Sequence, residues 1–196
     1  MELKNARIGF ALTGSFCTIP DMLVTLEELV GLCADVIPIM SEIVYTTDTR
    51  FFNAKDLIRH VEEITKKEVI HSIKAAEPIG PQKLMDALVI APCTGNTLSK
   101  IANGINDTTV TMASKAHLRN KRPLIIAVST NDGLGINAKN IGQLLSVKNI
   151  FFVPFSQDDA VKKPNSLIAK PELVIPTIAE ALKGEQLQPV LYNIPV

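Results

Sequence analysis

Neither sign of charge dominates this 196-residue chain: Lys plus Arg and Asp plus Glu number 20 each. A formal charge of zero removes the electrostatic footprint of a nucleic-acid-binding protein or of one drawn to an anionic membrane. Cysteine is scarce: Cys17, Cys33 and Cys93 stand far apart, with no C-x-x-C. That argues against a disulfide framework or a zinc site and suits a reducing cytoplasm. No apolar run approaches the roughly 18 residues of a membrane span. The opening Met1-Glu2-Leu3-Lys4-Asn5-Ala6-Arg7 lacks the apolar segment of a signal peptide. The dinucleotide fingerprint G-x-G-x-x-G is missing. Of the three histidines, His60, His71 and His117, none neighbours Ser15 or Cys93 in a nucleophile–base motif.

What is present is apolar: 46% of residues are hydrophobic, enough for a sizeable core in one domain. A mean hydropathy of +0.22, with aromatics at only 5%, points to surface buried between subunits. The chain is organised around Ala87 to Asp107. Ala87 to Ala91 reads as a strand buried on both faces. Pro92 is expected to stop it, having no N–H for the ladder. The polar cluster Thr94-Gly95-Asn96-Thr97 follows, and Leu98, Ile101, Ala102 and Ile105 then recur at helical spacing around Gly104. In an open parallel sheet ligands bind at such a junction, where free N–H groups and the helix dipole favour a phosphate.

The same grammar repeats along the chain. Arg7 to Leu12 predicts a first strand, opening into Thr13-Gly14-Ser15 and a helix begun by Pro20. Asp35 to Met40 predicts a second, ending at Ser41. A helix is expected over 53–64, a short strand over Val69 to Ile73, and a fixed loop, not a helix, over Ala75 to Pro81. Thr109 to Arg119 predicts a helix with His117 as a C-terminal dipole partner. Leu124 to Val128 predicts a strand ending in Ser129-Thr130-Asn131-Asp132-Gly133. A helix over Ile136 to Val147, a strand over Ile150 to Val153 and a last helix over Glu172 to Lys183 complete the pattern. Between them, 156–171 reads as a polar, proline-broken loop that could close over a ligand. Alternating strands and helices predict an α/β fold: a parallel sheet with helices on both faces.

Parallel connections bring the loops at 13–15, 94–97 and 129–131, with Ser41, to one sheet edge. They make a polar, uncharged cradle. It suits a phosphorylated planar cofactor better than a metal, which wants His, Cys or carboxylates. Arg50, Lys162 and Lys163 are candidates for an anionic substrate on charge, and Glu77, the ionisable group of its loop, is a fourth substrate candidate.

Ala91-Pro92-Cys93-Thr94-Gly95-Asn96-Thr97, followed by Ser99-Lys100-Ile101-Ala102-Asn103-Gly104, resembles the signature of the homo-oligomeric flavin-containing cysteine decarboxylase superfamily. Its usual form is A-P-A-T-A-N-T-x-x-K-x-A-x-G-x-A-D. Thr13-Gly14-Ser15 fits that family's first phosphate loop. The resemblance implies a three-layer, Rossmann-like (flavodoxin-like) fold, a trimer-based homo-oligomer and bound FMN. By motif position, Gly14, Ser15, Ser41, Thr94, Asn96 and Thr97 would hold the phosphate and ribityl chain. Thr13, Gly95 and Ser129 share those loops, and Asn131 would face the ring as the candidate catalytic residue. Two departures weigh against decarboxylase or prenyltransferase chemistry. The family's histidine before the signature strand is replaced by Glu77-Pro78-Ile79-Gly80-Pro81. Its later motif P-x-M-N-x-x-M-W is reduced to Val128-Ser129-Thr130-Asn131-Asp132-Gly133-Leu134-Gly135, and the chain has no tryptophan.

A closer match runs through Thr49-Arg50-Phe51, Ala76-Glu77-Pro78-Ile79-Gly80-Pro81 and Lys162-Lys163-Pro164-Asn165-Ser166. It implies a subgroup that oxidises a small cyclic dicarboxylate in the mother cell of a sporulating bacterium. Its members would work with a second, nicotinamide-binding-type subunit, which would carry NADP. A purely supporting role for this chain is the rival.

Overall fold

The computed structural model describes residues 2–33 and 35–192. Strands β1 (Arg7–Leu12), β2 (Asp35–Met40), β3 (Ala87–Cys93), β4 (Leu124–Thr130) and β5 (Ile150–Phe152) pair in parallel in the order β2-β1-β3-β4-β5. Every residue of β3 is buried, as a strand covered on both faces requires. Helix α1 (Ile19–Leu32) packs on β2 and β3. It turns Met22, Leu26 and Leu29 to the core, with Leu23 and Val30 at its margin. The short α2 (Glu42–Thr46) leads into α3 (Ala54–Thr65), which buries Leu57 and Val61. A single turn of helix, α4 (Ile73–Ala76), packs on the later α6. Helices α5 (Gly95–Ala102) and α6 (Thr109–Leu118) pack on β4. Helix α7 (Ala138–Leu145) lies beside α5 and against β5, and α8 (Val174–Ala181) crosses β3, β4 and β5. The architecture is α/β with helices on both sides of the sheet, as expected.

Far from the strands' carboxyl ends, Asp86 ties β1 to β3. It accepts from Arg7 Nε at 3.2 Å, Arg7 Nη2 at 3.0 Å and the Arg7 backbone N at 3.0 Å. Burial pushes the Asp86 carboxyl up, but the bonds from Arg7 outweigh it and hold it below its ordinary range.

Five expectations are corrected. The sheet is mixed, not wholly parallel, because 156–171 is not an irregular loop. Strands β6 (Phe155–Asp159) and β7 (Lys163–Ala169) form an antiparallel hairpin, and β7 joins the end of β4 through Ser129–Ile168 and Thr130–Leu167. Pro164 is tolerated where the ladder is irregular, and its carbonyl accepts from Gln157 Nε2. Strand β3 runs through Pro92 to Cys93, since the register against β4 shifts between Ile90 and Cys93. Where a loop was expected, α4 is capped by Ser72 and Glu77–Ile79 forms a 3-10 turn. The strand expected over 69–73 is a single bridge from Ile70 to Ile39.

His117 is the fifth correction. It is fully buried rather than capping α6 as a charged ring. Its Nε2 donates to the Pro123 carbonyl at 3.0 Å and its Nδ1 has no partner among the described residues. Burial pushes its pKa down to about 4, so the ring is neutral at pH 7.

Candidate functional site

The carboxyl ends of β1, β2, β3 and β4 meet at one edge, where the hairpin folds over. Thr13 ties the first to the third. Its Oγ1 donates to the Pro92 carbonyl at 2.7 Å and accepts from the Thr94 N–H at 2.9 Å. Thr94 is the N-cap of α5, its Oγ1 accepting from the Thr97 N–H at 3.3 Å. Ser41 is the N-cap position of α2, and its N–H donates to the Leu12 carbonyl at 3.0 Å.

These loops surround a cleft of about 480 Å³ whose polar wall is Thr13, Gly14, Ser41, Thr94, Asn96 and Thr97. Among the described residues no Lys or Arg lines it, and Glu42 is its charged rim residue. Ser41 Oγ is buried there without a hydrogen-bond partner among the described residues. An orphaned buried hydroxyl is costly, so it marks where a ligand acceptor or donor belongs.

A second cleft of about 250 Å³ adjoins it, with Gly14 and Thr94 on the wall of both. Ser15, Gly95, Ser129 and Asn131 line this one, together with Lys163 and Asp158 from the hairpin. Lys163 Nζ bonds Asp158 Oδ2 at 2.7 Å, which raises the lysine above its ordinary range. A third compartment, of about 410 Å³, shares Glu42, Thr46 and Thr108 with the first. It holds His71, stacked on Tyr45 with ring centres 3.9 Å apart.

The ten residues expected around a cofactor thus lie on two adjoining clefts. The substrate candidates do not gather with them. Arg50 is exposed with its guanidinium over Phe51, Glu77 is exposed on its 3-10 turn, and Lys162 sits in the hairpin turn. Lys163 alone of the four borders either cleft.

Sequence reasoning passed over Thr18, Asp132 and Asn137. Thr18 is buried beside Ser15 and Ser129. Asp132 accepts from the Thr130 hydroxyl and, at 2.9 Å, from Asn137 Nδ2. The Thr130 bond, helped by Asn137, holds the Asp132 carboxyl below its ordinary range. A Cβ on Gly95 would lie 2.5 Å from Asn137 Nδ2, 2.6 Å from Thr130 Oγ1 and 2.9 Å from Asp132 Oδ1. Glycine is therefore required for this trio to press against the first turn of α5. The adjacency of Asn131-Asp132 to the polar strand end was the signal available.

The family model described as Flavoprotein matches residues 1–181. This chain belongs to the flavoprotein family. The resemblance carried by Ala91 to Gly104 is borne out. The chain is 50% identical, over 97% of its length and 95% of the relative's, to the dipicolinate synthase B subunit of Bacillus subtilis (strain 168). It superposes on the crystal structure of the dipicolinate synthase B subunit from Bacillus halodurans C with a TM-score of 0.90. The identity there is 46%, covering 98% of this chain and 99% of the other. The FMN-dependent cysteine decarboxylase SpaF shares the fold, with a TM-score of 0.64 at 22% identity over 92% of this chain and 97% of its own. Among the described residues of this flavoprotein, no helix is long and apolar enough to cross a membrane.

Proposed function

We propose that this flavoprotein is the B subunit of a dipicolinate synthase. With an A subunit it oxidises dihydrodipicolinate to dipicolinate in the mother cell of a sporulating bacterium. The observation that carries the reading is half identity over nearly the whole of both chains to a subunit of that name. The cofactor is FMN on this chain, with NADP on the A subunit. Two further features support FMN. Among the described residues the buried Ser41 Oγ lacks a partner, and the Thr13, Thr94 and Asn96 wall carries no fixed cation, only hydroxyl, amide and N–H groups. A phosphate and a polyol chain are satisfied by such groups at the start of a helix.

Thr13, Gly14, Ser41, Thr94, Asn96 and Thr97 would hold the phosphate and ribityl chain. Gly95, Ser15, Ser129 and Asn131 border the cleft where the ring end and the substrate meet, Asn131 being the catalytic candidate. FMN, when bound, supplies a two-electron acceptor for a C–H donor. Lys163 would face a substrate carboxylate, and Arg50, Lys162 and Glu77 lie where only a partner chain or a moved loop would bring them to it. The assembly is a trimer-based homo-oligomer, a reading supported by a dodecameric neighbour of the same fold.

Purified B subunit, mixed with A subunit with and without FMN and NADP, tests this through the absorbance of dipicolinate. Product is expected only when both subunits are present, with a flavin spectrum on this chain. Equal turnover by the A subunit alone would make this chain a supporting one.

A further inference from the structure

The second cleft contains three hydroxyls that bond one another. Ser15 Oγ lies 2.7 Å from Ser129 Oγ and 3.1 Å from Thr18 Oγ1, and Thr18 Oγ1 lies 2.9 Å from Ser129 Oγ. Each carries one proton, so three protons serve three mutual contacts. Among the described residues the other neighbour of the set is the Cys17 sulfur, 3.8 Å from Thr18 Oγ1. Thr18 and Ser129 are more than nine-tenths buried, so bulk water does not compete for them. Rotation about three C–O bonds turns these protons outward without moving the backbone. The triangle is then an uncharged receptor for one oxyanion, built from the loop after β1 and the end of β4.

The same cleft already holds a carboxylate. Asp158 Oδ2 sits 2.7 Å from Lys163 Nζ, and both residues line the cleft. The Asp158 side chain is about a third exposed, at 34%, so it can turn to solvent when a ligand carboxylate takes its place. A cleft of about 250 Å³ is below the roughly 300–1,000 Å³ of sites for drug-sized ligands. That volume suits a single substituted ring.

We propose that this second cleft binds a small dicarboxylate, one carboxylate on the Ser15–Thr18–Ser129 hydroxyls and the other on Lys163, which exchanges Asp158 for it. The proposal rests on the dicarboxylate reading above and adds the compartment and its two walls. Gly14 and Thr94 belong to both clefts, so a ligand held here lies against whatever the first cleft holds.

The test is calorimetric titration of dipicolinate into wild type, Thr18→Val, Ser129→Ala, Lys163→Met and Asp158→Asn, each FMN-free and FMN-loaded, with FMN titrated in parallel. Losing one hydrogen bond to a charged group is expected to weaken dipicolinate binding about tenfold. Thr18→Val, Ser129→Ala and Lys163→Met should each show this, and FMN affinity should stay within about twofold in Thr18→Val and Lys163→Met, whose residues are not among those placed around the cofactor. Asp158→Asn should tighten dipicolinate binding by removing its competitor. If Thr18→Val disturbs folding, Ser129→Ala and Lys163→Met still decide. Unchanged dipicolinate affinity in those two overturns the compartment and leaves the dipicolinate reading standing. Weakened FMN with dipicolinate intact assigns the triangle to the cofactor and also overturns it. If wild type takes glutarate or isophthalate in preference to dipicolinate, with the same dependence on both walls, the compartment stands and the dipicolinate reading falls. If no dicarboxylate binds, alone or with the A subunit, both fall.

Discussion

At the residue scale the site is set by a few atoms with no slack. Asn96 is exposed on the wall of the first cleft, at the second position of α5. Asn96→Asp keeps the shape and adds a negative charge where the proposed phosphate sits. FMN affinity is expected to fall more than tenfold, about 1.4 kcal/mol or more, as read by quenching of flavin fluorescence at low salt. Unchanged affinity removes Asn96 from the cofactor set. Gly95→Ala places a methyl 2.5–2.9 Å from Asn137, Thr130 and Asp132. Overpacking of this kind costs about 1–3 kcal/mol, so the urea midpoint should drop with an unchanged slope. Gly95, Thr94 and Asn96 were legible because they stand together in one polar run. Thr18 was not, because its partner Ser129 is 111 residues away.

At the element scale the hairpin β6–β7 decides the second cleft, replacing the short β5 as the neighbour of β4 where that strand ends. Its two strands were hidden in the sequence by Pro164 and by buried serines, Ser156 and Ser166, which break the apolar alternation of a strand. Helix α6 carries a different consequence. The His117 pKa is about 4 in the folded chain against about 6.5 unfolded. A depressed pKa means that the unfolded chain binds the extra proton, so the stability is fully present above about pH 6.5. It is lost as pH falls toward 4, by on the order of 3 kcal/mol in all. His117→Gln keeps a donor for the Pro123 carbonyl and removes the titration. Its chemical-denaturation stability should be flatter than wild type between those pH values. An identical acid slope in the variant would assign the loss to other groups.

At the scale of the whole molecule, apolar surface remains uncovered. Ile136 is 71% exposed, Leu134 50% and Ile105 47%. Ile105 lies with Ile101 and Leu118 in a groove of about 320 Å³ between α5 and α6. An exposed apolar groove on a chain of this hydropathy is the kind of surface that subunit interfaces cover. Light scattering at micromolar concentration is expected to give a multiple of the 21.3 kDa chain mass, in steps of three under the trimer-based reading. A monomer refutes that assembly.

By itself the sequence determined the α/β class, the strand–helix alternation of the central sheet and the polar loops at 13–15, 41, 94–97 and 129–131. Those are local facts: apolar runs of strand length, helix-spaced apolar residues, and small polar residues between them. The motif at Ala91 to Gly104 also sufficed for the family. The tertiary structure alone decided that the ten expected residues divide between two clefts, and that Lys163 reaches one of them while Arg50 and Glu77 reach neither. It alone made His117 a buried neutral ring and Ser15, Thr18 and Ser129 a single group. These depend on contacts between distant segments, and no local propensity encodes which distant side chain a hydroxyl or a ring will meet.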